Sequence, residues 1–132
     1  MKAENMKTIL VDAINTFVIK DEGINEEMHK MLETWSNRKI ILTGANDEQM
    51  VNFGLDKMPY EVFTLKHDPE KTDPSYYKIM LKHFDLNPDD VIYFEHSIEA
   101  VNSARSAGIK SFHYDKDAKD LAGLKKFIED NL

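Results

Sequence analysis

Val91-Ile92-Tyr93-Phe94-Glu95-His96-Ser97 sets a short apolar run directly against an acid, an imidazole and a hydroxyl. Four apolar residues in a row suit a buried strand better than a helix, and the polar residues that follow mark where the chain leaves the core. Beyond them Ile98, Val101 and Arg105 recur at helical spacing as far as Ala107-Gly108, and a second β-type run, Lys110 to Tyr114, begins at once. Gly108 suits a helix end because it enters the left-handed backbone region without steric penalty. Strand, helix and strand in close succession imply a right-handed crossover between parallel neighbours.

The same alternation extends outward to the start of the chain. Thr8 to Val11, Ile40 to Leu42 and Val62 to Leu65 read as further strands. Ile24, Met28, Met31, Leu32 and Trp35 have helical spacing, as do Tyr77, Leu81 and Phe84, and Leu121, Leu124 and Ile128 near the end. Asn25, Asn46, Asp73 and Asp117 suit helix starts, Pro74 a first helical turn, and Gly54 a helix end. The expected fold class is α/β: a single three-layer Rossmann-like domain over residues 1–132, with five parallel strands and helices on both faces. Residues 1–6 are expected to be a flexible N-terminus. In such a sheet, ligands bind beyond the carboxyl ends of the strands.

Composition narrows the function classes. With 42% hydrophobic residues in 132, the chain can bury roughly 70% of its unfolded surface. It has no cysteine, which excludes disulfides, thiolate metal sites and cysteine nucleophiles. The polar opening and the lack of a long apolar run point to a cytoplasmic protein without a membrane anchor. A formal charge of −7, from 24 acids and 17 bases, argues against nucleic acid as a partner. The basic segment from Lys66 to Lys71 is interrupted by Asp68 and Glu70, and Lys125-Lys126 reads as a solvated helix face.

The strand ends carry the chemistry. Asp12 closes the first strand, where a carboxylate serves as nucleophile, metal ligand or plain turn residue. Thr43-Gly44 closes the second, offering a hydroxyl and backbone N–H groups to phosphate oxygens, or ordinary turn chemistry. Lys71, just before a helix, is either a solvated side chain or a cation for a transferring phosphoryl group. Glu95 suits a hard cation, and His96 a softer metal, a proton transfer or a structural hydrogen bond. His29, His67, His83 and His113 show no metal-ligand spacing, and Trp35, Tyr76 and Tyr77 read as core.

Taken in order, these strand ends resemble the four signature motifs of the haloacid dehalogenase-like hydrolases. In the phosphatase branch the first motif is Asp-x-Asp-Gly-Thr after an apolar strand, here Asp12-Ala13-Ile14-Asn15-Thr16. Thr43 matches the second, Lys71 with Thr72-Asp73-Pro74 the third, and Phe94-Glu95-His96-Ser97 through Ala107-Gly108 the fourth. The resemblance implies Asp12 as the nucleophile of an aspartyl-phosphate, Thr16, Thr43, Gly44 and Lys71 around the phosphoryl group, and a divalent metal at Asp12, Glu95 and position 96.

Two motif positions depart from that pattern. Ile14 stands where the phosphatases carry a proton-moving aspartate, and His96 where they carry a magnesium-binding one. The resemblance therefore implies a degenerate site with weakened magnesium affinity, manganese or another transition metal being better suited to an imidazole. Its expected role is a phospho-ligand-binding or regulatory module, the rival being an active phosphohydrolase with an atypical metal or proton donor. Only 31 positions separate Asp12 from Thr43, and 28 separate Thr43 from Lys71, which leaves no room for a cap domain. That absence disfavours dehalogenation and suits a large substrate or a site closed by oligomerisation; the expected partner is a phosphorylated ligand or a macromolecule. Phe17, Val18 and Ile19 read either as a partner-contacting face or as an apolar hairpin; oligomeric state is left open.

Overall fold

The computed structural model describes residues 6–132, so the expectation of a flexible N-terminus falls almost entirely outside the described residues. Five parallel strands form the sheet: β1 (Thr8–Asp12), β4 (Lys39–Thr43), β5 (Glu61–Thr64), β6 (Val91–Glu95) and β7 (Lys110–His113). Their spatial order is β5-β4-β1-β6-β7, with β1 at the centre. Thr8, Ile9, Leu10, Val11 and Asp12 are all buried, as a central strand covered on both faces requires.

Alternation along the strands divides the core into two layers. Ile9 and Val11 of β1, Ile41 of β4, and Ile92 and Phe94 of β6 face one way. There they meet α1 (Glu26–Leu32) through Met28 and Leu32, and α5 (Leu121–Asn131) through Leu124 and Ile128. Met50 of α2 (Asp47–Asn52) adds to that layer. Leu10, Ile40, Leu42, Val91 and Tyr93 face the other way. Opposite them stand Tyr76, Tyr77, Met80 and Leu81 of α3 (Pro74–His83) and Ala104 of α4 (Ile98–Ser106). This is the expected three-layer α/β architecture, with Tyr76 and Tyr77 as core residues.

Local signals account for most element ends. Asn25, Asn46 and Asp73 cap α1, α2 and α3 through their side chains, and Pro74 occupies the first turn of α3. Gly54 and Gly108 both have positive φ just beyond helices. The cap expected at Asp117 is instead Asp120, which accepts from Gly123 N–H. Asp115 accepts from Asp117 N–H and Ala118 N–H, holding that stretch as a turn, so the helix starts three residues later.

Between β1 and β4 the chain forms a small antiparallel hairpin, β2 (Val18–Ile19) and β3 (Gly23–Ile24), followed by α1. Phe17 and Val18 are buried in it, and the Phe17 ring packs against His29 and Tyr60. Of the three apolar residues after the first motif, Phe17 and Val18 thus face the core in a hairpin, while Ile19 is half-buried. Between β4 and β5 stand α2 and a short 3-10 turn. Among the described residues no helix is long and apolar enough to cross a membrane.

Candidate functional site

Strand register places the two acids. Val11 pairs with Phe94, so Asp12 and Glu95 emerge side by side at the carboxyl ends of β1 and β6. The turn after β1 then doubles back. Asn15 has φ 73°, its N–H reaches Val18 O, and Thr16 N–H reaches Ala13 O. That left-handed position is one where asparagine, like glycine, is tolerated. The turn returns the Thr16 hydroxyl to Asp12 Oδ2, to which it donates at 2.6 Å.

Lys71 arrives from the opposite layer, in the loop before α3. Ser103 Oγ holds that loop by donating to Thr72 O, and the Tyr76 hydroxyl ties α3 to β4 by donating to Thr43 O. Lys71 Nζ lies 2.7 Å from Asp12 Oδ1 and 2.8 Å from Glu95 Oε1. His96 Nδ1 lies 2.5 Å from Asp12 Oδ2 and 3.1 Å from Glu95 Oε2. The His96 backbone N–H also reaches Asp12 Oδ2, and His113 Nε2 holds His96 O at 2.9 Å. The Tyr93 hydroxyl donates to Glu95 Oε1, and Ser97 N–H to Glu95 Oε2. Both acids are nearly inaccessible, with side-chain exposures of 3% for Asp12 and 1% for Glu95. Among the described residues, no fully buried side-chain nitrogen or oxygen lacks a partner.

This environment sets the protonation states. Burial alone would raise the Asp12 pKa, but Lys71 and the His96 hydrogen bond outweigh it and hold the carboxyl well below its ordinary 3.8. Burial likewise opposes the Lys71 ammonium, and Asp12 and Glu95 overcome it, holding the group well above 10.5. His96 is raised from 6.5 to about 9 by its hydrogen bonds to Asp12 and Glu95, against the effect of burial. Burial and then Glu95 push the Tyr93 hydroxyl far up, so it remains a donor.

Above the acids opens a cavity of about 240 Å³, lined by Asp12, Thr43, Gly44, Lys71, Glu95 and His96. Six of the seven residues singled out from the sequence therefore share one cavity. The seventh, Thr16, touches Asp12 but lines a separate cavity of about 180 Å³ with Asn25 and Tyr114. Thr43 is buried, and its Oγ1 accepts from Ala45 N–H, which shapes the turn around Gly44. Ile14 contributes an apolar patch to the main cavity wall.

Three further lining residues went unrecognised in the sequence: Gln49, His67 and Glu70. His67 Nδ1 lies 2.6 Å from Glu70 Oε1, and Nε2 lies 2.7 Å from Gln49 Oε1. The Gln49 oxygen is fixed by the capping box of α2, where it also accepts from Asn46 N–H. Lys66 and His67 both have positive φ, which turns the loop after β5 toward the cavity. The available signal was His67-x-x-Glu70 in the same loop as Lys71.

Ligand atoms of Asp12, Glu95 and His96 all lie within 4.8 Å of one another, a grouping that could hold a metal ion. Magnesium does not fit the donors as they stand. It requires near-octahedral oxygen ligands at about 2.0–2.1 Å, whereas the third group here is a ring nitrogen directed at two carboxylates. Because an ionised carboxylate can only accept, the 2.5 Å contact with Asp12 Oδ2 assigns the proton to Nδ1, which leaves that nitrogen no lone pair for a metal.

No family model and no curated protein matches the sequence. Solved structures do resemble the fold. A haloacid dehalogenase family enzyme from Bacteroides thetaiotaomicron, an aspartate-to-alanine variant in complex with magnesium and inorganic phosphate, superposes with a TM-score of 0.62 at 10% identity, covering 83% of this chain and 94% of that one. The core domain of a candidate phosphoglycolate phosphatase from Streptococcus pneumoniae gives 0.59 at 18% identity over 96% of this chain and 98% of that one. A haloacid dehalogenase-like protein of unknown function from Agrobacterium tumefaciens gives 0.57 at 18% identity, covering 81% and 62%. Sheet order, the placement of the four strand-end motifs and these likenesses agree: the chain has the haloacid dehalogenase-like fold.

Proposed function

We propose that the chain binds a phosphoryl-bearing anion in the cavity above Asp12 and turns it over weakly or not at all, serving as a binding or regulatory module. The carrying observation is Ile14, an aliphatic side chain in the cavity wall two residues beyond Asp12. Transfer of a phosphoryl group to Asp12 would leave an alkoxide that needs a proton, and residue 14 has none to give. General acid–base help is worth about 10²–10⁴ in rate, or about 3–5 kcal/mol of barrier.

The binding half of the proposal rests on Lys71 Nζ, the Thr43-Gly44 turn and the imidazole of His96, which line one cavity with the acids beneath. A second reading, a working phosphohydrolase that forms an aspartyl-phosphate at Asp12, is favoured by the retained Asp12, Thr43, Lys71 and Glu95. Hydrolysis of an aryl phosphate, with magnesium, manganese, zinc or chelator, decides between them when Asp12→Asn is run beside the native chain. Turnover equal to that of Asp12→Asn, together with saturable binding of inorganic phosphate by calorimetry, is the expected result. Sustained multiple turnover, well above the trace a degenerate site allows and abolished by Asp12→Asn, would overturn the degenerate reading.

A further inference from the structure

The two buried acids are clamped twice, and in parallel. Lys71 Nζ joins Asp12 Oδ1 to Glu95 Oε1, and His96 Nδ1 joins Asp12 Oδ2 to Glu95 Oε2. Asp12, Glu95 and position 96 are the residues that would hold a divalent ion, and at position 96 the ring nitrogen already faces one oxygen of each acid. Three of the four carboxylate oxygens take further donors: Oδ2 of Asp12 also accepts from Thr16 and from His96 N–H, Oε1 of Glu95 from Tyr93, and Oε2 of Glu95 from Ser97 N–H, while Oδ1 of Asp12 accepts from Lys71 alone.

From this arrangement we propose that His96 is a built-in replacement for the metal ion, and that the cavity takes a phosphoryl-type anion without any divalent cation. The anion part rests on the function proposed above; the metal part stands on the cage alone.

Three physical points support the replacement. Buried carboxylates are tolerated only when their charge is compensated and hydrogen bonds reach their oxygens, and two acids against Lys71 and an imidazole, with at least one donor on each oxygen, meet both conditions. The imidazole is also fixed in place. Its residue is held at the backbone N–H by Asp12, at the carbonyl by His113 and at the ring by both acids, so an incoming ion would have to displace a seated donor. A transition metal placed between the two acids would still need the lone pair that Nδ1 commits to its proton. An acid at position 96 would reverse the balance, leaving three carboxylates against Lys71 and creating the demand for a divalent ion that the native residue removes.

The test is calorimetric titration of the chelator-treated full chain with magnesium and with manganese, alongside His96→Asp and Asp12→Asn, with thermal midpoints recorded in metal and in EDTA. The native chain should show no saturable uptake of either ion and the same midpoint in both conditions. His96→Asp should melt lower in EDTA, recover on adding magnesium, and bind that ion at least about tenfold more tightly than the native chain. Saturable uptake by the native chain that disappears in Asp12→Asn would overturn the proposal, and this arm does not depend on His96→Asp folding. Inorganic phosphate binding that is equal with EDTA and with magnesium supports the proposal, whereas binding that requires metal overturns it. If no phosphate binds in either condition, the proposed anion-binding function fails, while the metal titration still decides the role of His96.

Discussion

Two histidines line the same cavity, each with a ring held between side-chain oxygens, and their settings differ in what the contacts are worth. His96 Nδ1 faces Asp12 and Glu95, which are 3% and 1% exposed. His67 faces Glu70, which is 57% exposed, and Gln49 at the end of a surface capping box. The two closest nitrogen–oxygen separations are almost the same, 2.5 Å for His96 and 2.6 Å for His67. Energy follows burial rather than distance. Water competes for the rim contacts, whereas in the cage each lost partner strands a charge in a medium that cannot solvate it.

The largest effect should come from breaking the cage at Lys71. Lys71→Met removes the cation shared by Asp12 and Glu95 and should cost about 3–5 kcal/mol, the usual range when one member of a buried ion pair is lost. Urea unfolding measures it, and adding Glu95→Gln to the same chain should recover part of the loss. If Lys71→Met were as mild as a surface substitution, the contrast between cage and rim would collapse. Thr16→Val is the next step down. It removes one of the donors on Asp12 Oδ2 and should cost about 1–3 kcal/mol, with most of the cage intact.

Titration sharpens the same contrast. The folded-state pKa of His96 is raised from 6.5 to about 9, so its stabilising contribution is full below 6.5 and is lost as pH rises through about 9. Asp12 is shifted the other way, so its contribution is full above 3.8 and is lost as pH falls below that value. Lys71, held well above 10.5, stays charged across the alkaline limb. Unfolding midpoints in chelator should therefore decline between pH 6.5 and about 9, and His96→Gln should flatten that limb. A native profile flat through this window would mean that His96 is not ion-paired in solution.

What could be read in advance followed from short-range rules. Apolar runs and caps located the sheet and the starts of three helices, because alternation and capping act over a few residues. The cage depended on register: Asp12 and Glu95 are 83 positions apart and become neighbours only because Val11 pairs with Phe94. Motif order supplied that neighbourhood by resemblance, and it brought Lys71 and His96 with it. It did not supply the parallel clamp, since nothing in Glu95-His96 indicates which way the ring turns. Nor did it reveal the Gln49-His67-Glu70 rim, which depends on two consecutive positive-φ residues in the loop after β5. Asp117 misled because a side chain able to cap a helix is equally able to join a turn, and Asp115 had already organised that turn.

The smallest effect on stability belongs to the rim, and it separates two meanings of a histidine in a cavity. His67→Ala removes contacts to Glu70 and Gln49 that compete with water, so its cost should be within about 1 kcal/mol. Gln49 keeps its capping contact with Asn46 N–H in that variant, so α2 should remain intact. Yet His67 lies close over the Gly44 turn: a Cβ at residue 44 would sit 3.4 Å from Nδ1. Any anion held by the Thr43-Gly44 turn would therefore lie beside it. Inorganic phosphate titrated into His67→Ala should bind more weakly while the unfolding midpoint scarcely moves, the reverse of the weighting expected at Lys71. A loss of stability comparable to Lys71→Met would instead make the rim a second structural cage, and burial would no longer explain the difference between the two histidines.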